Sequence, residues 1–306
     1  MTRQITTFVS LSVLLLLGVS FWLWSFTQTD PNLYYSSTSV WVSFQQSLWH
    51  IPRVTVVWWF GTNILLSFFC YFYALRTKLS FLPMLLVPCF ILLTSNNALS
   101  HDIYNYMFNA KALAVYHQDP HLLSALEIAP KDDWVRFMHN VHTTAPYGHF
   151  WTSVSLIPFY LGGGKFLTTY LAFKAFMALG LGLLTFIQWK MLDQKNRVVL
   201  FLCNPLVFIE TLLNGHNDVW MMALALASLG LVFRAKKIFS WQIVMSLSLL
   251  LLSTQVKIAS LLLIPIWFVL VIPSQAGIQS VKQQDISGSR IRLLIEIGRA
   301  SCRERV

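Results

Sequence analysis

The sequence predicts an all-α integral membrane protein, a polytopic helical bundle with one long external loop. Of its 306 residues, 56% are hydrophobic and only 11% are charged, whereas soluble domains carry roughly 25% charged residues. The mean hydropathy is +0.60. The net charge of +10 is spread between apolar segments instead of lying on one face, so we expect no nucleic-acid partner. These observations exclude an ordinary soluble globule.

Apolar runs separated by short polar connections define the expected helices. They lie at 6–26, 54–75, 81–94, 150–161, 166–189, 198–213, 219–233, 240–254 and 258–272. Several are shorter than the roughly 20 residues that cross a bilayer. We therefore expect some runs to extend into flanking residues, to re-enter the membrane or to lie at its interface.

Basic residues in short connections predict the orientation of these helices. The clusters are Arg76/Lys78, Lys190/Lys195/Arg197 and Arg234/Lys236/Lys237, and the positive-inside rule places all three in the cytoplasm. The loop 95–149 and the tip from Asn214 to Asp218 then lie outside. Run 150–161 is expected to be re-entrant or interfacial, because a further crossing would reverse the parity. The prediction is a multi-pass protein of the cytoplasmic (inner) membrane with its site facing outside, toward the periplasm.

The C-terminal part of the chain differs in composition from the rest. We expect residues 1–273, including the external loop 95–149, to form one transmembrane module that ends before its natural C-terminus. Residues 274–306 are expected to form a polar tail. The stretch 288–306 turns abruptly polar and Arg-rich, and it resembles read-through into vector or adapter sequence, so we expect it to be non-native.

Loop 95–149 concentrates the polar residues that can do chemistry. It contains most of the 8 histidines, namely His101, His117, His121, His139, His142 and His149. It also contains the acids Asp102, Asp119, Glu127, Asp132 and Asp133. The loop is long for a simple connection, which favours a functional site. The alternative is an ordinary solvated external loop.

Asp102 begins a segment with helical spacing. Asp102, Tyr106 and Asn109 share one face, whereas Ile103, Met107, Ala110 and Ala114 share another. This pattern predicts an amphipathic helix at the membrane interface, where a carboxylate can meet both a lipid headgroup and a soluble hydroxyl. The alternative is that Ser100 or Asp102 caps the helix N-terminus.

Two other features of the loop are less specific. His139 and His142 are three residues apart, but a metal site needs further ligands at fixed spacing, so we expect no metal ligands in this pair. No cofactor is expected, and a divalent cation is left open. The turn-rich segment from Thr143 to Gly148 can line a sugar pocket with the Tyr147 hydroxyl, or it can be an ordinary turn into a helix.

A second group of polar residues lies at the junction of two apolar runs. It comprises Asn204-Pro205, Glu210 and Asn214-Gly215-His216-Asn217-Asp218. Glu210 lies inside an apolar run, where an ionisable group indicates function by default. Lys257, between the last two runs, can bind a lipid phosphate, or it can extend its ammonium to the interface without a ligand.

The order of these motifs resembles membrane-embedded GT-C glycosyltransferases that use polyprenyl-phosphate sugars, especially the bacterial α-mannopyranosyltransferase type. The matching elements span about residues 99–265. They are Asp102-Ile103-Tyr104-Asn105-Tyr106, Asp119-Pro120, Trp134, Thr144-Ala145-Pro146-Tyr147-Gly148, Asn204-Pro205-Leu206, His216-Asn217-Asp218 and Lys257 before Pro265. Departures from the family are Gln118, His121 and His149, which stand where members usually have glycine, tyrosine and proline.

The resemblance implies a GT-C-like helical bundle that transfers a single sugar, expected to be mannose, with inversion. The implied partners are a polyprenyl-phosphate sugar donor, a glycan or glycolipid acceptor and membrane lipids. Because the leaving group is already a phosphate, the site needs a base and positive charge but no general acid. Asp102 is the expected catalytic base. The expected substrate-binding residues are Tyr106, Tyr147, Glu210, His216, Asn217, Asp218 and Lys257, with Lys165 and Lys174 as weaker candidates for the phosphate.

Two other function classes stay open from the sequence. A secondary transporter or flippase of lipid-linked sugars would place its polar site on broken helices at the bilayer midplane, commonly with inverted repeats. Here the polar residues are concentrated in an external loop, and no internal repeat is evident. A non-catalytic assembly subunit is the third alternative.

Overall fold

The computed structural model shows a bundle of helices and describes residues 2–30, 33, 35–77, 86, 89–192, 198, 201, 204–235, 237 and 239–271. The α-helices are α1 (Thr2–Phe26), α2 (Ser39–Trp49), α3 (Arg53–Thr77), α4 (Asp102–Lys111), α5 (Ala125–Ile128), α6 (His149–Val154), α7 (Leu156–Leu161), α8 (Phe166–Met191), α9 (Pro205–Phe208), α10 (Asp218–Arg234), α11 (Trp241–Val256) and α12 (Leu263–Val271). Wider π turns continue α4 (Ala112–Tyr116) and α9 (Ile209–Leu213), and 3₁₀ turns occur at Val135–Phe137 and Ile258–Leu262. No strand occurs in these ranges, so the predicted all-α class is confirmed.

Two helices are long and apolar enough to cross a membrane by themselves. They are Arg53–Tyr73 of α3 and Phe166–Met191, which is the whole of α8. The segments Pro205–Leu213 and Asp218–Arg234 pass the same test together, but the chain bends by 118° between them. The other apolar segments, Ser12–Phe26, Trp241–Val256 and Ile258–Val271, have 10–17 residues. These segments fit the predicted membrane protein, and the bend lies at the polar tip that the sequence indicated.

Helices α1 and α3 are joined by hydrogen bonds between otherwise apolar surfaces. The Trp24 indole N–H donates to the Val56 carbonyl at 3.0 Å. The Ser20 hydroxyl donates to Asn63 at 2.8 Å and accepts from the Trp59 indole at 2.8 Å. Lipid offers no competing donors or acceptors, so such contacts help to specify how helices pair within a bilayer.

Helices α10 and α11 pack closely through small polar residues. Ser246 shares a hydrogen bond of 2.9 Å with the Ser228 hydroxyl and also donates to the Ser228 carbonyl. The indole of Trp267 in α12 donates to the same Ser246 hydroxyl at 2.7 Å. This pairing fixes where the start of α10 lies relative to the end of α11, and both of these ends carry site residues.

Several predicted runs differ from the observed elements. Run 150–161 is divided near Ser155 into α6 and α7, each too short to cross a bilayer. Helix α2 was not predicted; its N-cap Thr38 accepts from the Trp41 N–H, and its Gln45 is buried. Half of run 81–94 and the whole tail 274–306 lie outside the described residues, so the expectations for them stay predictions.

Helix α4 begins where the sequence placed it, but it is covered on both faces. Every residue from Ile103 to Ala110 is buried, and α4 contacts α6, α7 and α8. Tyr106 and Asn109 on its polar face are therefore buried, and the placement of the helix at the membrane interface stays a prediction. Asp102 at its start and Lys111 at its end keep partial exposure, which places the Asp102 carboxylate at the edge of the core.

Candidate active site

The site forms where the tip between α9 and α10 meets the start of α4. Gly215 has a φ of +65°, a left-handed conformation that glycine adopts without steric cost. A Cβ at this position would also lie 3.0 Å from Ile103 of α4. The His216 N–H donates to the Glu210 carbonyl at 3.0 Å, and the Asn97 amide donates to the Asn214 carbonyl. These contacts turn the His216 side chain toward α4.

His216 lies between two carboxylates. Its Nδ1 is 3.1 Å from an oxygen of Asp102, and its Nε2 is 3.3 Å from an oxygen of Glu210. The side chain of Glu210 is 55% exposed, whereas those of Asp102 and His216 are 27% and 19% exposed. A histidine with a carboxylate at each nitrogen is stabilised in its protonated form, in which both nitrogens are donors.

The pKa shifts agree with an Asp102–His216 ion pair. Burial raises the pKa of Asp102, but the hydrogen bond and charge of His216, with contributions from Tyr147 and Lys257, outweigh burial and lower it. Burial lowers the pKa of His216, but Asp102, Glu210 and Asp218 together raise it above its ordinary value. Asp102 is therefore ionised at neutral pH. His216 is not available as a proton acceptor while it is charged.

Lys257 and Asp218 form a second ion pair in the same cluster. Lys257 Nζ donates to the two Asp218 carboxylate oxygens at 2.9 and 2.7 Å, and both side chains are about one-third exposed. Lys257 is the extended residue that ends α11, whereas Asp218 begins α10. The Asn217 amide donates to the Val256 carbonyl at 3.3 Å and keeps these two helix ends together.

Tyr147 approaches the Asp102 carboxylate from the loop side. Its hydroxyl lies close enough to Asp102 to help lower the pKa of that carboxyl, and its ring packs edge-on against Tyr106 at 4.9 Å. The next residue, Gly148, passes so close to α11 that a Cβ would lie 2.5 Å from the Gln255 carbonyl oxygen. Glycine at this position therefore lets the start of α6 approach α11 and keeps Tyr147 beside the cluster.

The structure brings together all eight residues expected at the site, which come from α4, the loop, the tip and α11. Asp102, Glu210, His216, Asp218, Lys257 and Tyr147 keep exposed or half-buried side chains, so substrate can reach them. Tyr106 and Asn217 are 1% and 0% exposed, so their side chains lie beneath the cluster, and their role in substrate binding stays a prediction. Ser100 accepts from the Asp102 N–H at 3.2 Å and thereby satisfies the helix start, whereas the Asp102 carboxylate faces His216.

Lys174 of α8 fixes the two segments that carry the site. It is 1% exposed, and its described hydrogen-bond partners are all neutral oxygens. Nζ donates to the carbonyls of Leu212 and Leu213 and to the side chains of Ser95 and Asn97. The two carbonyls belong to the end of the π turn, where helical partners run out and positive charge is favourable. The Lys174 ammonium is enclosed and has no path to a donor phosphate. The structure therefore does not favour the phosphate-binding role for which the sequence made Lys174 a weaker candidate.

Replacing Lys174 with Met should destabilise the protein, because several buried acceptors lose their donor. Leaving such groups unsatisfied costs about 3 kcal/mol in total, so the melting temperature of the purified protein in detergent should fall clearly. Lys165→Met is the matched control, because Lys165 is exposed just before the same helix. Equal melting temperatures for the two variants would contradict the bracing role.

Several other polar residues of the loop have local partners. The Asp132 carboxylate lies 2.6 Å from Lys111 Nζ and accepts from the Tyr116 hydroxyl at 2.7 Å. His139 stacks on His101 with ring centroids 3.7 Å apart. The carboxylate of Asp132 therefore has a structural role at the end of α4, separate from the cluster around Asp102.

A comparison with protein families identifies the group to which the chain belongs. The family model described as alpha-(1->6)-mannopyranosyltransferase, N-terminal domain, matches residues 10–273. The chain belongs to this family. No curated protein and no solved structure matches it. The chain is therefore a glycosyltransferase of the GT-C type that transfers mannosyl groups, and this confirms the enzyme class predicted from the motifs.

Removing the charge of Glu210 should change the pH dependence of this mannosyltransferase. Glu210 helps to raise the pKa of His216, and a raised pKa preserves the protonated form to higher pH. In Glu210→Gln, His216 should lose its proton at a lower pH. The alkaline limb of the pH–rate profile should therefore move to lower pH. Asp133→Asn, an exposed loop acid, should leave the limb unchanged. An alkaline limb that moves to higher pH in Glu210→Gln would contradict the assignment.

Sequence reasoning missed the bracing network beneath the site. Ser95 and Asn97 were not singled out, although they form a short polar segment directly after an apolar run. Lys174 is a lone cation within the apolar run 166–189, which indicates a specific role, but its partners come from two separate parts of the chain. Only the folded structure shows that it satisfies helix carbonyls.

Proposed function

We propose that the chain transfers one mannosyl residue from a polyprenyl-phosphate donor to a glycan or lipid acceptor on the outer face of the cytoplasmic membrane, with inversion. The observation that carries this proposal is that one accessible cluster contains both a carboxylate that can act as a base and a cation that can bind phosphate. Asp102 is an ionised carboxylate, and Lys257 is a half-buried ammonium close enough to lower the pKa of Asp102.

The proposed reaction is a single displacement at the sugar C1. The acceptor oxygen attacks C1 while the bond from C1 to the phosphate oxygen breaks, and that oxygen retains the bonding electrons. The hydroxyl proton passes to Asp102. A carboxylate with a lowered pKa is a weak base, so proton transfer occurs late, when bond formation has made the hydroxyl acidic. No acid is needed at the leaving group, because polyprenyl phosphate leaves as a stable anion.

Positive charge for the departing phosphate comes from Lys257 and from protonated His216. Three carboxylates, Asp102, Glu210 and Asp218, share the cluster with these two cations. An incoming phosphate must therefore compete with Asp218 for the Lys257 ammonium. The partial exposure of this ion pair allows such an exchange, since exposed ion pairs are only weakly held.

An apolar groove that ends at the residue before Glu210 suits the lipid part of the donor. It runs between α1 and α3 and ends at Pro205, Phe208 and Ile209. Ile209 directly precedes Glu210, so an isoprenoid chain in the groove would direct its phosphate toward the cluster. Burial of apolar groups along such a groove stabilises a lipid substrate by about 0.8 kcal/mol for each methylene.

Basic residues at the C-terminal ends of three helices support an outward-facing site. Helices α3, α8 and α10 carry Arg76, Lys190 and Arg234 in their last turns. Helix α10 has 17 residues, so its two ends are about 25 Å apart. With Arg234 in the cytoplasm by the positive-inside rule, Asp218 lies toward the outside. Of the other members of the three basic clusters, Lys237 is described and exposed. The remaining four fall outside the described residues: Lys78, Lys195, Arg197 and Lys236.

A donor comparison tests the proposed chemistry. Membranes containing the chain receive radiolabelled mannose as polyprenyl-phosphate mannose or as nucleoside-diphosphate mannose, with a short α-1,6-linked mannan oligosaccharide as acceptor. We expect labelled product from the lipid donor only. Polyprenyl-phosphate glucose in a parallel arm tests the sugar. Product from the nucleotide donor alone would overturn the proposal.

Thiol labelling tests the proposed orientation. In a variant without Cys70, Cys89, Cys203 and Cys302, single substitutions Lys131→Cys and Phe239→Cys place thiols at exposed positions, one in the loop and one beyond the far end of α10. An impermeant thiol reagent added to intact spheroplasts should label only the loop position. After membrane disruption, both should react. Labelling of Phe239→Cys alone in spheroplasts would reverse the orientation.

A further inference from the structure

A second cluster of polar side chains lies outside the group around Asp102. Asp119, His121 and His149 each place one ligand-type atom within 4.8 Å of the others, and no other group of three or more His, Cys, Asp and Glu residues converges in this way among the described residues. His149 Nε2 is 3.8 Å from an Asp119 oxygen. The histidines and acids of the loop were noted in the sequence, but this combination was not.

The backbone holds the three side chains in place. The His121 N–H donates to Asp119 Oδ1 at 2.9 Å and orients the carboxylate, so that Oδ2 faces His149. The Ala145 N–H donates to the Pro120 carbonyl at 2.7 Å, which ties the Asp119 turn to the segment leading into α6. The cluster is therefore built by two separate parts of the loop that the structure already joins.

The histidine rings are oriented by specific contacts. His121 and His149 stack with centroids 3.9 Å apart, and His121 Nε2 lies 3.0 Å from the hydroxyl of Thr152. Thr152 is 2% exposed, so its hydroxyl is a fixed partner. Hydrogen bonds of this kind orient histidine ligands in metal sites.

The electrostatics of the cluster favour a cation. A neutral imidazole retains the lone pair that a metal needs. The carboxylate of Asp119 brings negative charge to the cluster, and among the described residues no lysine or arginine forms an ion pair with it.

A cavity of about 400 Å³ opens onto the cluster. Its lining includes His117, Gln118 and Ser153 in addition to the three ligand residues. This volume accommodates waters or a substrate oxygen that can complete the coordination of an ion. Two imidazoles and one carboxylate with open positions are a common ligand set for zinc and other divalent transition metals.

We propose that Asp119, His121 and His149 bind one divalent transition-metal ion of the zinc type, with open coordination positions facing the cavity. The ion joins the Asp119-Pro120-His121 turn to the start of α6. Because His149 follows Tyr147 by only two residues, this joint holds the Tyr147 hydroxyl on Asp102. The binding step does not depend on the proposed donor or acceptor, so it can be tested separately from the reaction.

Metal binding by the purified full-length chain is the direct test. The protein is stripped with a chelator, incubated with zinc chloride, freed of excess metal and analysed for bound zinc and melting temperature. We expect about one zinc ion per chain and a higher melting temperature. Cobalt chloride provides a second probe, because a site with nitrogen and oxygen ligands and low coordination number gives visible absorption bands.

Matched variants locate the site. His149→Gln should weaken zinc binding by more than about tenfold and should remove the cobalt bands. His149 has a side chain that is 73% exposed, so its loss is not expected to unfold the chain. His142→Gln removes another exposed histidine of the same loop and should retain one zinc ion. Absence of stoichiometric zinc from the wild type, or equal binding by both variants, would overturn the proposal.

Discussion

Replacing Asp102 with Asn is expected to lower mannosyl transfer by roughly 10²- to 10⁴-fold, which is the usual contribution of a positioned general base. Asn keeps the size of Asp and can still hydrogen bond to Tyr147 and His216, but it cannot accept the acceptor's proton. Donor binding should survive, because Lys257 and His216 are unchanged. The loss should therefore appear in kcat and not in KM for the donor, as measured with radiolabelled lipid donor.

The same substitution separates catalysis from helix capping. Asn caps helices about as well as Asp, and Ser100 already accepts the Asp102 N–H. A role in capping alone therefore predicts normal stability and normal transfer. Asp133→Asn is the matched control, because Asp133 is an exposed acid in the same loop. Near-normal turnover in Asp102→Asn would exclude the base role.

Replacing His216 with Gln is expected to weaken donor binding by roughly 10- to 100-fold. Removing the imidazolium leaves Asp102 and Glu210 without the cation between them, so the cluster repels an incoming phosphate more strongly. A hydrogen bond to a charged group contributes about 1.5–3 kcal/mol, which corresponds to this change in affinity. Binding of a radiolabelled or fluorescent polyprenyl-phosphate analogue measures it.

The pH profile of His216→Gln provides an independent check. His216 is the main group that opposes burial and lowers the pKa of Asp102, so its removal should raise that pKa. On acidification, the Asp102 carboxylate is then protonated at a higher pH. The acid limb of the pH–rate profile should therefore move to higher pH. His142→Gln should change neither affinity nor profile. Unchanged donor affinity in His216→Gln would contradict the role of His216.

The sequence was sufficient to predict the helical class and the composition of the cluster, because both depend on strong local signals. Long apolar runs define α3 and α8. The ionisable residues Asp102, Glu210 and His216 stand out in a sequence that is otherwise mostly apolar. The motif order then indicated that distant segments belong to one site. The 3.1 Å contact between Asp102 and His216, which are far apart in the chain, agrees with that interpretation.

Features that depend on tertiary packing could not be predicted in the same way. The spacing of α4 showed an amphipathic helix, but spacing alone does not reveal that α6, α7 and α8 also cover its polar face. Asn217 has a polar side chain of the kind that binds substrates, yet its amide joins the tip to the end of α11. Lys174 similarly appears as a solitary charge until the carbonyls at the end of the π turn are placed around it.

The position of the donor phosphate tests the central claim most directly. A cryo-electron microscopy structure of the chain with a non-hydrolysable phosphonate analogue of polyprenyl-phosphate mannose would measure the distances from the phosphonate oxygens to Lys257 and from C1 to Asp102. We predict that the phosphonate displaces Asp218 from Lys257, that the isoprenoid chain occupies the groove ending at Ile209, and that Asp102 faces C1 from the side opposite the phosphonate. A phosphonate bound away from Lys257, or a mannose C1 turned away from Asp102, would contradict the account.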